Sequence, residues 1–291
     1  MRRITMCTVV VLLLVGPVWA QRAVNEVRPL GAGGSVGISN LAGSVRVVGW
    51  GNDQVEITGV LGKNVESLEI EGDGSGLQIE VEVPRHADDL DTELVIKVPA
   101  TASVDVETVS ATIEVDGVSG ELDLESVSGW IRVSGQPGEL SAESISGNIW
   151  VSNSTMYTEV ATVSGSIEVE NGAGELDGES VSGNISVTAG LFDAASFETV
   201  SGTVTYSAEL APRGEYDFET VSGTIHLEVS PAVSAEFEVE TFSGPITNAI
   251  GPEPRNTSQY TPEKELSFTA GSGGAQVYIS TFSGATKITT R

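Results

Sequence analysis

Residues Glu125–Val133 read ESVSGWIRV, and Glu143–Val151 read ESISGNIWV. The phrase returns as ESVSGNISV at Glu179–Val187 and as ETVSGTIHL at Glu219–Leu227. A serine before a glycine suits a nucleophile in a tight turn, a phosphate cradle, or the corner of a stacked structure. The periodicity decides among these. The corner serines are Ser110, Ser128, Ser146, Ser164, Ser182, Ser201, Ser222, Ser243 and Ser283, in steps of 18, 18, 18, 18, 19, 21, 21 and 40 residues. The last step contains the proline-rich insertion GPEPRNTSQYTPEKE, Gly251–Glu265. A degenerate earlier corner stands at Ala42-Gly43, in ISNLAGSVRVVG.

Aligned columns carry the geometry. Two residues before each serine stands a hydroxyl, from Thr108 and Ser126 to Thr281. One before it stands Val, Ile or Phe, from Val109 to Phe282. Three and five after it come Ile131 with Val133, Ile149 with Val151, and their equivalents. The columns at minus one, plus three and plus five share a parity with the glycine, so all are expected to face inward on one strand. The preceding strand turns in its residues at minus six and minus four, such as Leu122 and Leu124. A glycine facing inward avoids the opposite strand's large side chains.

A turn of 18–21 residues cannot bury its apolar face alone, but stacked turns can. The pattern predicts an all-β chain, a single-stranded parallel β-solenoid (β-helix), right-handed. Turns about 4.8 Å apart give a rod of roughly 60–70 Å. Residues 21–103 read as irregular N-terminal β turns, 104–249 as the regular repeats, and 250–291 as an insertion loop with C-terminal capping turns. Open ends invite end-to-end pairing, so self-association there is a possible partner mode.

Residues 1–20 predict a secretory signal peptide, with Arg2 and Arg3, an apolar run from Met6 to Val15, and cleavage after Ala20. The run is short for a membrane span, and no second one follows, so no transmembrane span is expected in the mature chain. Periplasm, outer surface and extracellular space all fit an exported chain. The one cysteine, Cys7, lies in that leader. Beyond it, disulfides, thiolate metal sites and a cysteine nucleophile are excluded. The 41 acidic and 14 basic residues give a formal charge of −27. Such a chain repels nucleic acid.

Chemistry is sparse. A serine nucleophile needs a base and a group orienting that base. Only His86 and His226 could serve, and nine equivalent serines cannot share one base. No catalytic residue, cofactor site or metal site is expected. Glu107, Glu125, Glu143, Glu179, Glu198, Glu219 and Glu240 form a carboxylate column three before the serine. It could attract calcium, but a solvated face suits it better, since calcium prefers an enclosing set of oxygens. A polysaccharide-active enzyme would need convergent acids and bases with a basic residue nearby. A threonine lattice for ice is weak, with only Thr203 and Thr205 fitting. The distinctive outward side chains are Trp130, Arg132, Asn148 and Trp150. They form a candidate ligand patch, with Trp150 placed over Arg132 for cation–π contact. The pairs Ser128-Gly129, Ser146-Gly147, Ser164-Gly165 and Ser182-Gly183 are then structural corners.

The motifs GSVRVVGWGNDQVEITG, ELVIKVPATASVDVETVSATIEV, the ESVSG ladder and STFSGATKI together resemble a bacterial family. It comprises the secreted "putative adhesin" domains of unknown function, with repeated V-S-G-x-I-x-V, close to autotransporter adhesin head-like domains. The resemblance implies an exported bacterial β-solenoid and no catalytic residues. The chain departs from the pattern at Ala111 and in the insertion. It implies an adhesin-like module that binds a surface, a glycan or a partner protein. An envelope structural or self-assembling protein is the alternative.

Overall fold

The computed structural model describes residues 22–86, 88–154 and 156–291. The expected signal peptide, 1–20, lies outside the described residues. The regular elements described are all β-strands, joined into one sheet.

Two parallel ladders run through the repeats. Strands before the corner, such as Glu121–Ser126 and Glu139–Ser144, pair in register, Glu125 against Glu143. Strands after it, such as Ile131–Ser134 and Ile149–Ser152, pair Ile131 with Ile149 and Arg132 with Trp150. From Ile167 the two ladders become continuous strands, Ile167–Ser180, Ile185–Thr199 and Thr203–Thr220. Bulges between Gly174 and Glu175, and between Thr188 and Leu191, let these strands bend. Between the ladders lies one apolar core, from Leu30 to Ile288.

The expectation of an open single-stranded parallel β-solenoid is overturned. The sheet is mixed and nearly closes on itself around its core, as a barrel does. Arg22–Pro29 runs antiparallel to Gln54–Leu61, which is itself antiparallel to Thr92–Pro99. Ser67–Asp73 is antiparallel to Gly76–Glu82, and Lys264–Ala270 to Ala235–Thr241. The stacking also leaves chain order. Ser35–Asn40 lies between Gly76–Glu82 and Ser103–Thr108. Ala275–Thr281 lies between Thr203–Thr220 and Ala235–Thr241. Within the C-terminal segment, Lys264–Ala270 therefore lies on the outer side of Ala235–Thr241, whereas Ala275–Thr281 and Ala285–Thr290 are inserted one layer inside. The physical reason is edge protection. A bare parallel edge exposes a row of unpaired amides and carbonyls, and the antiparallel strands pair with it. These strands carry no Ser-Gly corner, so the repeat could not announce them.

The corner itself corrects a second expectation. Ser126 is buried, Val127 and Ser128 both point outward, and Gly129 is buried. Two successive outward residues break the alternation, so the minus-one column is exposed. Ile131 and Val133 remain in the core. The buried hydroxyl accepts the glycine amide three residues on: Gly129 N to Ser126 Oγ at 2.8 Å, Gly147 N to Ser144 Oγ at 2.8 Å, Gly165 N to Thr162 Oγ1 at 3.0 Å. Ser and Thr favour such turns because the side-chain oxygen replaces a backbone acceptor. The glycine is required by the layer beneath rather than by the opposite strand. A Cβ on Gly147 would lie 1.8 Å from the carbonyl oxygen of Gly129, and one on Gly183 1.7 Å from that of Gly165.

Candidate binding groove

The outward bend creates a groove along the stack, with a cavity volume of about 1350 Å³. One wall is the exposed minus-one column: Leu41, Val109, Val127, Ile145, Val163, Val181, Val200, Val221, then Phe282 and Phe242. The last two rings stack at 4.9 Å. The other wall is the glutamate column, from Glu107 to Glu240, and the hydroxyl column lines the floor. Glu80, Val81 and Val83 stand at one end. The insertion closes the other with Thr257, Glu263, Lys264 and Glu265, held by Thr257 N donating to Glu263 O at 3.1 Å. Lys264 is the one basic residue among the described lining residues.

Like charges crowd the glutamate wall and the aspartates two residues before it on the same strands. Burial first, then Asp123 and Glu107, push the Asp105 carboxyl above its ordinary value. Burial, followed by Asp123, Glu107 and Glu143, does the same to Glu125. Asp217 is raised by burial, then by Glu219 and Glu198. A raised acid pKa means that ionisation costs the folded state more than the unfolded chain. These groups therefore stabilise most when protonated, and stability falls as pH rises from the unfolded values, 3.8 for Asp and 4.5 for Glu, through the raised folded ones. The contribution of these groups to the melting temperature is expected to be larger near pH 4 than at pH 8, and added salt to raise the melting temperature at pH 8 by screening. Calorimetric melting at both pH values, with and without salt, checks this; no salt-dependent rise at pH 8 contradicts it.

Residues 38–232, well over half of the chain, match the family model described as Toastrack DUF4097. The chain belongs to the Toastrack DUF4097 family. Among curated proteins no significant match is found. Several solved structures are similar. A "putative adhesin" from Bacteroides fragilis shares 11% identity over 94% of this chain and 98% of that one, with a TM-score of 0.49. A "putative lipid binding protein" from Parabacteroides distasonis shares 16% identity over 92% and 96%, with a TM-score of 0.46. A "putative cell adhesion protein" from Clostridium sporogenes shares 9% over 93% and 100%, with a TM-score of 0.24.

In this Toastrack chain the corner serines are occupied. Ser128 Oγ donates to Val109 O at 3.1 Å and Ser146 Oγ to Val127 O at 3.2 Å, carbonyls that also accept the same serines' amides. Neither histidine meets a corner serine. His226 Nε2 lies 3.1 Å from Thr289 Oγ1 and 3.5 Å from Glu228, and His86 is exposed. Among the described residues no group of three or more His, Cys, Asp and Glu is gathered to hold a metal ion. No helix among them is long and apolar enough to cross a membrane.

The four patch residues stand on two adjacent layers of the second ladder, and Arg132 and Trp150 are in contact. Trp130 is 64% exposed. The Arg132 guanidinium sits over the Trp150 ring, 4.4 Å from its centroid. Asn148 Oδ1 accepts from Ser166 N at 2.8 Å, a contact repeated by Asn184 and Thr203 at 3.0 Å, so this amide also ties neighbouring repeats. The groove escaped sequence reasoning because strict alternation was carried through the bend. The invariant hydroxyl was the available signal. A side chain that caps the amide three residues on must sit inside the turn, which forces the next two residues out.

Proposed function

We propose that this Toastrack chain is an exported, adhesin-like binding module that contacts a surface, a glycan or a partner protein and performs no chemistry of its own. The observation that carries this is the groove's wall of exposed β-branched and aromatic side chains. Contiguous apolar surface is costly to leave in water and marks interaction sites. Antiparallel strands cover the first ladder at both ends and the second at its N-terminal end, which weighs against an envelope structural role through open-ended assembly. Export is proposed from the leader-like segment 1–20 and the absence of cysteine after it. The proposed organisation is a leader, irregular strands over 21–103, repeats over 104–249 and a closing segment over 250–291.

Trp130, Arg132, Asn148 and Trp150 form the surface proposed for a sugar ring, because an exposed indole beside a guanidinium offers both stacking and hydrogen bonding. Glycan-array binding by the chain tests the reading. Trp130→Ala with Trp150→Ala is expected to abolish glycan binding and leave the melting temperature within a few degrees. Retained glycan binding removes the patch.

A further inference from the structure

We infer that the groove binds an extended, basic polypeptide segment in which cationic and apolar side chains alternate. The inference rests on the binding-module reading and names the partner class for a different surface from the tryptophan patch.

Shape sets the first limit. Ten successive wall residues, from Leu41 to Phe242, run about 43 Å at roughly 4.8 Å per strand. The volume of about 1350 Å³ over that length gives a mean cross-section of about 30 Å². One face of an α-helix of 10–12 Å diameter, half its section, already needs roughly 40–55 Å². One face of an extended chain needs only about half of 4.8 by 10 Å. A segment of about 12 or 13 residues spans the groove at 3.3–3.4 Å per residue.

The walls set the chemistry. Alternate side chains of an extended segment point to opposite sides. One row then meets Val127, Ile145 and Val163, and the other meets Glu125, Glu143 and Glu179. Side chains on one row of the segment repeat about every 6.7 Å, against about 4.8 Å for the walls. The groove thus selects an alternating pattern rather than one sequence. Charge removes the other candidates. A second copy of this chain carries the same −27 charge. An anionic lipid surface or a nucleic acid is repelled by the same wall. The Glu125 carboxylate on the groove wall, held above its ordinary value by burial and by neighbouring carboxylates, is a group a cationic partner relieves.

Calorimetric titration of the full chain with three synthetic 12-residue peptides, (Lys-Val)6, (Lys-Ser)6 and (Glu-Val)6, tests this at 0.15 M salt. The Lys-Val peptide is expected to bind at least tenfold tighter than either of the others. Val163→Asp with Val181→Asp makes the protein more negative yet removes apolar wall. The groove predicts at least tenfold weaker binding for this variant; simple attraction of a polycation predicts tighter binding. If the aspartates disturb folding, the isosteric pair Val163→Thr with Val181→Thr is expected to weaken binding about fivefold. Equal affinity for the Lys-Ser peptide, tighter binding to the Asp variant, or unchanged binding to a folded Thr variant overturns the inference. Trp130→Ala with Trp150→Ala is expected to leave peptide binding unchanged. Glycan binding without Lys-Val binding would sink the peptide inference and leave the binding-module reading standing.

Discussion

Gly147→Ala is expected to destabilise the protein by about 3–5 kcal/mol, read as a drop in the urea midpoint. The added Cβ would lie 1.8 Å from Gly129 O and 2.8 Å from both Gly129 C and Ser144 Oγ. The first two are backbone atoms, so no rotamer change relieves them. Moving Gly129 away is blocked in turn, because its own Cβ position lies 1.8 Å from Ala111 O. Backbone conformation is not the cause, since these column glycines do not adopt positive φ. Gly138→Ala is the control. There the nearest atom to a new Cβ is Ser119 O at 3.6 Å, and the change is expected to stay within about 1 kcal/mol of the parent. Equal midpoints for the two variants would show that the stack relaxes and that the corner glycine is not sterically required. Ala111 already carries a Cβ in this column, and the corner beneath it differs, with Gly43 at φ 104°.

Phe218→Ala is expected to cost about 3–5 kcal/mol, and Phe218→Leu about 1–1.5 kcal/mol, by the same measurement. Phe218 is fully buried and stacks on Phe197 at 5.4 Å. It also meets Tyr206 edge-on at 5.7 Å. Tyr206 in turn contacts Phe192 and Tyr216, whose hydroxyl donates to Phe192 O at 2.5 Å and accepts from Ala211 N at 2.6 Å. The longer repeats widen the core here, and aromatic rings fill what Leu124 and Val133 fill earlier. Gly178 makes room from the layer before, since a Cβ there would stand 2.8 Å from Phe197 Cδ1. Truncating one ring leaves a cavity walled by rigid neighbours, which collapses poorly. A loss below about 1 kcal/mol would mean the cluster repacks freely.

The candidate sites differ in how legible they were. Arg132 and Trp150 sit at equivalent places in adjacent repeats, so their cation–π contact followed from register alone. The glutamate column was legible for the same reason. The apolar wall beside it was not, because its outward direction depends on Val127 and Ser128 sharing one side of a bend. Period-two reasoning holds within a strand and fails where the chain turns. The hydrogen bond from Gly129 N to Ser126 Oγ is what sets that turn.

By itself, the sequence determined the repeat, the all-β class, the parallel register of its central strands and the acidic charge. These depend on spacing and composition, which are local. Only the tertiary structure decided the ends and the closure. Antiparallel strands such as Lys264–Ala270 cover the stack, and Ala275–Thr281 enters between earlier layers. Pairing choices of this kind are made by edges competing for partners far apart in the chain, and a backbone edge offers the same donors and acceptors whatever its residues. No column of side chains records which edge wins.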